Sequence, residues 1–385
     1  MNLKVEKEIL GILKLVNEKE KLALHEPVFI GKEIAYLNDC INSGFVSSVG
    51  NYVNLFSNKL QTFTKAKYII PVVSGTSALH IALKVADVMP EEEVLIPSLS
   101  FVATANAVCY CNAIPHFVDI DKKTLGLDPL KLKNHLKNIS KTKSGRLVNK
   151  FSDRIISSII VMHTFGHSCD LDEIKNIANE FGLKLIEDSA ESLGTFYKNK
   201  HTGNFGELGV LSFNGNKIIT TGGGGAIMTN DKLLADKALH LTTTAKVKHN
   251  WEYIHDEVGY NYRMPNLNAA LGCAQLENIE LFISKKRDLF KKYKLAFSEI
   301  DYLEVFEESK YSKSNYWLNS IILSENMKHK KNSIIEYTNK NNVRTRPAWK
   351  LLNTLKPFLK FPKSDLSNSE AIYDSVINIP STPLI

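Results

Sequence analysis

The sequence holds no apolar run of about 18 residues, the length a membrane-crossing helix needs, so no spanning segment is expected. Its five cysteines, Cys40, Cys109, Cys111, Cys169 and Cys273, are odd in number and contain no Cys-x-x-Cys pair. That excludes a disulfide framework and a zinc knuckle, and leaves reduced, mostly buried thiols of a cytoplasmic protein. No secretory leader is expected at the start. From Met1 to Lys21, Ile9, Ile12, Leu13 and Val16 recur at helical spacing among charges, which predicts an amphipathic helix. No internal repeat and no basic stripe interleaved with aromatics is present. The net charge of +7 comes from scattered lysines, and Lys328-His329-Lys330-Lys331 reads as a solvated face, not a nucleic-acid site.

What is present is ordinary globular material: 385 residues, 44% apolar and 23% charged, enough for one two-part enzyme or two domains. From about residue 65 to 230, short apolar runs alternate with helical patterns. The predicted strands are Tyr68–Val73, Val94–Ile96, Ile114–Val118, Ile155–Val161, Leu183–Ile186, Val210–Phe213 and Ala226–Thr229. Helical stretches between them include Ser77–Ala86, Ala103–Cys111 and Leu171–Phe181. Buried strands separated by helices imply an α/β fold with a mainly parallel sheet. After Leu276 the texture changes to one long helix over 277–300, then a smaller α+β region with a polar and aromatic loop from Asn341 to Lys356. Lys137 to Lys150 reads as a Lys/Ser/Asn-rich surface loop.

Three motifs carry chemistry. Ser74-Gly75-Thr76-Ser77 follows a strand and opens a helix. Unpaired first-turn amides and hydroxyls there make an anion site, or simply a helix cap. No Gly-Lys-Ser/Thr follows, so it is not a nucleotide P-loop. Glu187-Asp188-Ser189-Ala190-Glu191 ends a strand, at the edge where parallel sheets gather ligands. A carboxylate there pairs with a cationic ring nitrogen or caps a helix. Ser212-Phe213-Asn214-Gly215-Asn216-Lys217 runs into Gly222-Gly223-Gly224-Gly225. A lysine between apolar strand and glycines is placed for a partly desolvated pocket, where an amine becomes a nucleophile. A phosphate cradle, a carboxylate and an activatable lysine are the three anchors that pyridoxal 5'-phosphate (PLP) requires.

With these motifs the chain resembles the DegT/DnrJ/StrS-type PLP-dependent nucleotide-sugar aminotransferases, from about His25 to Leu384. The resemblance rests on S-G-T-S-A-L, P-S-L-S-F-V-A-T-A-N-A, E-D-S-A-E-S-L-G, S-F-N-G-N-K and G-Y-N-Y-R-M-P. It implies the aspartate aminotransferase-like fold type I, with a mainly parallel seven-stranded sheet and a smaller C-terminal α+β domain. The expected division is a helical segment over 1–35, a PLP-binding domain over 36–276 and a small domain over 277–385. It also implies a homodimer with each site at the subunit interface. Lys217 would carry the cofactor and Asp188 would pair with the ring nitrogen; these are the expected catalytic residues. Gly75, Thr76, Ser77 and Ser212 would cradle the phosphate, and Asn261 would reach it from the partner subunit. Phe101, which on its own reads as a core aromatic, would stack on the ring. Many relatives carry Gln or His where this chain has Glu191, near the cofactor's phenolic oxygen. Another branch of the family replaces the lysine with His and dehydrates sugars; Lys217 disfavours that activity.

A subgroup of that family carries motifs matched here by His25-Glu26-Pro27-Val28-Phe29, by Gly44 to Gly50, by His163 to His167 and by Thr345 to Trp349. It resembles the 4-aminotransferases of bacterial legionaminic acid and related diamino-sugar pathways. The expected substrates are L-glutamate and a UDP- or GDP-linked 4-keto-6-deoxy-N-acetylhexosamine. Ser47, Ser48, His163, Arg346 and Trp349 are the expected substrate-binding residues. A 3-aminotransferase on another keto-deoxysugar, or a non-enzymatic regulator with the same fold, are the alternatives. The latter would normally add a DNA-binding helix-turn-helix or lose a cofactor anchor, and neither is visible. No metal is expected, because His163, His167 and Cys169 lack a fourth ligand.

Overall fold

The computed structural model describes residues 3–384. The first two residues of the N-terminal segment and Ile385 of the expected small domain lie outside the described residues. The central sheet has seven strands: β1 (Tyr68–Val72), β2 (Glu93–Pro97), β3 (Ile114–Val118), β4 (Ile156–Met162), β5 (Lys184–Asp188), β6 (Leu208–Ser212) and β7 (Gly225–Thr229). Their spatial order is β1-β7-β6-β5-β4-β2-β3. All neighbours from β6 through β3 pair parallel. Strand β7 runs against both β1 and β6. All five residues of β2 are buried, as both-faces-covered strands require.

Each predicted strand is present within about two residues of its expected limits, the usual latitude of element ends. The helix Leu171–Phe181 shows how local chemistry sets such limits. The Asp170 side chain accepts a hydrogen bond from Glu173 N and caps its start. Leu171, Ile174, Ile177 and Ala178 form its buried stripe, and Gly182 ends it at φ 67°. Burying each Leu or Ile there contributes about 1.5–3 kcal/mol.

The expected loop over Lys137 to Lys150 is a correction. The helix Pro129–Ile139 runs into a hairpin, Ser140–Lys143 paired antiparallel with Arg146–Asn149. Ser144 and Gly145 turn it with φ of 52° and 76°. Two successive positive φ values match the twist of hairpin strands. Composition pointed to a loop because the exposed strand residues are the polar Lys141, Thr142, Lys143 and Arg146, while Val148 and Asn149 are buried.

The long helix is Ile279–Ala296. A second sheet lies beyond it: β8 (Leu303–Val305), β9 (Asn319–Leu323), β10 (Arg346–Pro347) and β11 (Val376–Ile379), all antiparallel in the order β8-β9-β11-β10. The N-terminal helix Lys4–Asn17 packs here: Ile9 and Leu13 share a core with Leu289, Tyr293, Ile321 and Ile377. No helix among the described residues is long and apolar enough to cross a membrane.

The carboxyl ends of β1, β2, β4, β5 and β6 and the start of the reversed β7 share one edge of the central sheet. That edge receives residues 74–76, 101, 188–191, 212–217 and 222–224. Phe213 anchors it from below. Its ring is fully buried, 5.1 Å from that of Phe56, and its amide donates to Gly224 O at 2.9 Å. Phe213→Ala should therefore cost about 3–5 kcal/mol. Urea unfolding checks this, and an unshifted midpoint would contradict the packing described.

Candidate active site

A cavity of about 330 Å³ opens at this edge. A larger groove of about 990 Å³ runs between Asn58–Lys65 and Leu276–Lys291. Several of its charged groups are paired: Lys59 with Glu277 at 3.0 Å, Arg287 with Glu308 at 2.6 Å and Lys291 with Asp288 at 3.2 Å. The smaller cavity instead gathers an amine, two carboxylates and a helix start.

At the helix start, the Ser74 side chain accepts from Ser77 N at 3.0 Å. The amides of Gly75 and Thr76 have no partner in the preceding turn, which makes this end of the cavity an anion cradle. Gly75 is required: a Cβ on it would stand 2.9 Å from the Ser212 Cβ. Gly225 is required too, since a Cβ there would come within 2.5 Å of Ser74 backbone. These close approaches bring the cradle beside Ser212.

Asp188 ends β5 and is buried. Its Oδ2 accepts from Thr104 Oγ1 at 2.8 Å and its Oδ1 from Ala190 N at 3.2 Å. Burial pushes its pKa up, opposed by those two donors and by the charge of Lys217. A carboxylate so placed, lining the cavity, suits a cationic ring nitrogen.

Lys217 lies opposite. Its side chain is 11% exposed, and its Nζ stands 3.0 Å from Glu191 Oε1 and 4.2 Å from the Trp317 ring centroid. Glu191 is held from its other side. Its Oε2 accepts from Phe165 N at 2.9 Å, and its main-chain oxygen accepts from Asn315 Nδ2 at 2.9 Å. Phe165 sits at φ 57°, which is strained for a non-glycine residue, and its ring packs 5.1 Å from Trp349. Burial pushes the Glu191 carboxyl up to about 7; Lys217 and the Phe165 amide pull against it, and Asp188 adds to it.

Gly75, Thr76, Phe101, Asp188, Glu191, Ser212, Lys217 and Trp349 of the expected residues line the cavity. Phe101 is 47% exposed, so its reading as a core aromatic is overturned. Ser77 does not line it; its hydroxyl turns to Ser74 Oγ at 2.9 Å and completes the helix cap. His163 is a clear correction. Its ring is fully buried, with Nε2 3.1 Å from Glu187 and Nδ1 3.8 Å from Cys169 Sγ, so it cannot touch a substrate. Glu187 in turn accepts from the amides of Gly203, Phe205 and Gly206, so this histidine braces a loop behind the sheet. Ser47 and Ser48 lie in the loop after the helix Glu33–Ser43, where Ser47 O accepts from Asn266 N. Arg346 is exposed on β10, opposite Asn378. None of these three lines the cavity, nor does Asn261, which is exposed. Sequence reasoning missed Thr104, Asn315 and Trp317, whereas Ser74 belongs to the expected anion motif.

The residues present fit PLP: a cradle for its phosphate, a buried acid for its ring and an amine for its aldehyde. Comparison with known proteins agrees. The sequence model described as the DegT/DnrJ/EryC1/StrS aminotransferase family matches residues 29–385. GDP-perosamine synthase of Escherichia coli O157:H7 is 36% identical over 94% of this chain and 93% of its own. UDP-4-amino-4,6-dideoxy-N-acetyl-beta-L-altrosamine transaminase of Campylobacter jejuni is 30% identical over 86% and 85%. Helicobacter pylori PseC, an aminotransferase involved in the biosynthesis of pseudoaminic acid, has a similar fold. Its TM-score is 0.84 at 24% identity, covering 94% of this chain and 93% of that one.

Thr104→Val keeps the shape beside Asp188 and removes one donor to its carboxylate. Leaving a buried acceptor short of a donor costs about 1–3 kcal/mol. PLP titration of the variant should show about tenfold or more weaker binding. Unchanged affinity would show that the Thr104 bond does not keep Asp188 ionised.

Proposed function

The chain belongs to the DegT/DnrJ/EryC1/StrS aminotransferase family, and on that premise we propose that it transfers the amino group of L-glutamate to the C4 ketone of a nucleotide-linked 4-keto-6-deoxy-N-acetylhexosamine. That it is a PLP-dependent nucleotide-sugar aminotransferase follows from the family and its relatives. The position on the ring, the N-acetyl group, the glutamate donor and a role in legionaminic acid or related surface-glycan synthesis are the proposal. The carrier is UDP or GDP; the names of the Escherichia coli and Campylobacter jejuni relatives support one each.

The observation that carries the reading is the convergence of Lys217 Nζ, the Asp188 carboxylate and the Ser74–Thr76 cradle on one cavity. Bound PLP supplies an aldehyde and a cationic ring able to store the electron pair left when a Cα–H bond breaks. The chain does the rest. Ser74, Gly75, Thr76 and Ser212 bind the phosphate. Asp188 holds the ring nitrogen protonated, and Thr104 and Ala190 N keep Asp188 ionised. Lys217 Nζ takes the proton from the donor Cα, and in the second half reaction delivers one at the sugar C4. Phe101 and Trp349, with ring centroids 6.1 Å apart, flank the cavity as apolar walls that exclude water.

A homodimer is part of the same proposal. Asn261 lies outside its own cavity yet is exposed, and Phe29, Ile34, Phe45 and Val49 are exposed apolar side chains near one another in sequence. Such a surface suits burial against a second copy.

Two tests apply. The purified protein loaded with PLP should be yellow and should bleach on addition of L-glutamate; colour indifferent to glutamate would sink the donor assignment. Lys217→Ala should reduce turnover to background, and parallel double-reciprocal plots should mark the two half reactions. Retained turnover in that variant, or an amine found elsewhere than C4 in the product, would overturn the respective part of the reading.

A further inference from the structure

Two ionisable groups in the cavity touch each other rather than solvent. Lys217 Nζ and Glu191 Oε1 are 3.0 Å apart, with side chains 11% and 1% exposed. The alignment is fixed from outside the pair. The Phe165 amide holds Glu191 Oε2, Asn315 holds the Glu191 main chain, and the Trp317 ring lies beside Lys217 Nζ. Trp317 is itself tied by its indole N–H to Asn216 O at 2.7 Å, and its carbonyl accepts from the buried Lys286 at 3.1 Å. So Glu191 and the Trp317 ring are both held in place around the Lys217 amine.

Resting on the aminotransferase reading above, we propose that Lys217 and Glu191 share one proton, with Glu191 as the acceptor that frees the Lys217 amine for its bond to an aldehyde. The step balances within the pair. The ammonium N–H bond breaks, its electron pair stays on nitrogen, and the proton joins the Glu191 carboxylate along the existing hydrogen bond. No charge leaves the cavity. A charge-separated pair that is largely desolvated gains little over the neutral one, which is why burial makes the exchange easy. A glutamine at this position would accept a hydrogen bond from the ammonium without taking its proton.

The charged and titratable groups around the pair come from three elements. Asp188, at the end of β5, faces both and disfavours a charged Glu191. His25, from the N-terminal segment, lies near Lys217; burial and the charges of Lys286 and Lys217 hold it well below its usual pKa, so it stays neutral. Lys286, on the long helix, is likewise held well below its usual range by burial. None of these is hydrogen-bonded to Lys217 Nζ. Glu191, pushed up to about 7 by burial, is the group in direct contact with it.

The consequence is a distinctive pH dependence. While the pair holds a single proton, the share with a free amine does not depend on pH, because the proton moves within it. Without the carboxylate, the amine must lose its proton to solvent, and the free share rises with pH by up to tenfold per unit. The measurement is the rate at which PLP-free protein turns yellow with added PLP, from pH 6.5 to 9, as the ratio of wild type to Glu191→Gln. The ratio cancels the ionisations of PLP itself. It should fall by about fivefold or more as pH rises above 7. Glu191→Asp should follow the wild-type profile at a lower rate. Glu191→Ser, also unable to ionise, gives the same reading as the glutamine variant should the latter not fold. A ratio constant with pH overturns the shared proton while leaving the cofactor assignment standing. Wild-type protein that takes no colour at any pH overturns the cofactor assignment, and this inference with it.

Discussion

A lysine amine at the cavity wall, held 3.0 Å from a fully buried glutamate, is the constraint around which the rest of the structure is arranged. Burial pushes the glutamate up to about 7, and the amine beside it is placed to act as a nucleophile. Holding it there takes contributions from distant parts of the chain. The reversed strand Gly225–Thr229 must start under Ser74, which only glycine allows. The segment Asn315–Trp317 must come back from beyond the long helix to wall the cavity. Phe165 must accept a strained backbone so that its amide meets Glu191.

The central sheet makes this affordable by burying apolar surface on both faces. Parallel strands with their carboxyl ends on one edge place chemistry there without cutting into the core. The two carboxylates at the end of β5 have different neighbours and so different characters. Asp188 receives a hydroxyl and an amide and faces the cavity floor. Glu191 receives one amide and the lysine, and burial lifts its affinity for a proton to the neutral range. Glu187, between them and the far face, accepts three amides and the His163 ring, and is purely a brace.

Much of this was legible in the sequence, and the rest was hidden for physical reasons. The seven strands were visible because strands covered on both faces are continuous apolar runs. Lys217, Asp188 and the Ser74–Thr76 turn stood out because each sits at a strand end with a local pattern. Thr104, Asn315 and Trp317 carried no such pattern: their roles depend on partners 84, 124 and 101 residues away. His163 misled because its role was carried over with the motif His163 to His167 from the resemblance. Its burial beside Glu187 is decided by packing between strands, which spacing along the chain does not reveal. The hairpin over residues 140–149 was hidden because its exposed lysines resemble loop composition.

Lys217 is the residue placed to bond to the cofactor. Borohydride reduction of the PLP-loaded protein, followed by proteolysis and mass mapping, tests that directly. The phosphopyridoxyl group should appear on the peptide containing Lys217 and on no other, with about one group per chain. A label on a different lysine, or none on a protein that has bound PLP, would contradict the account.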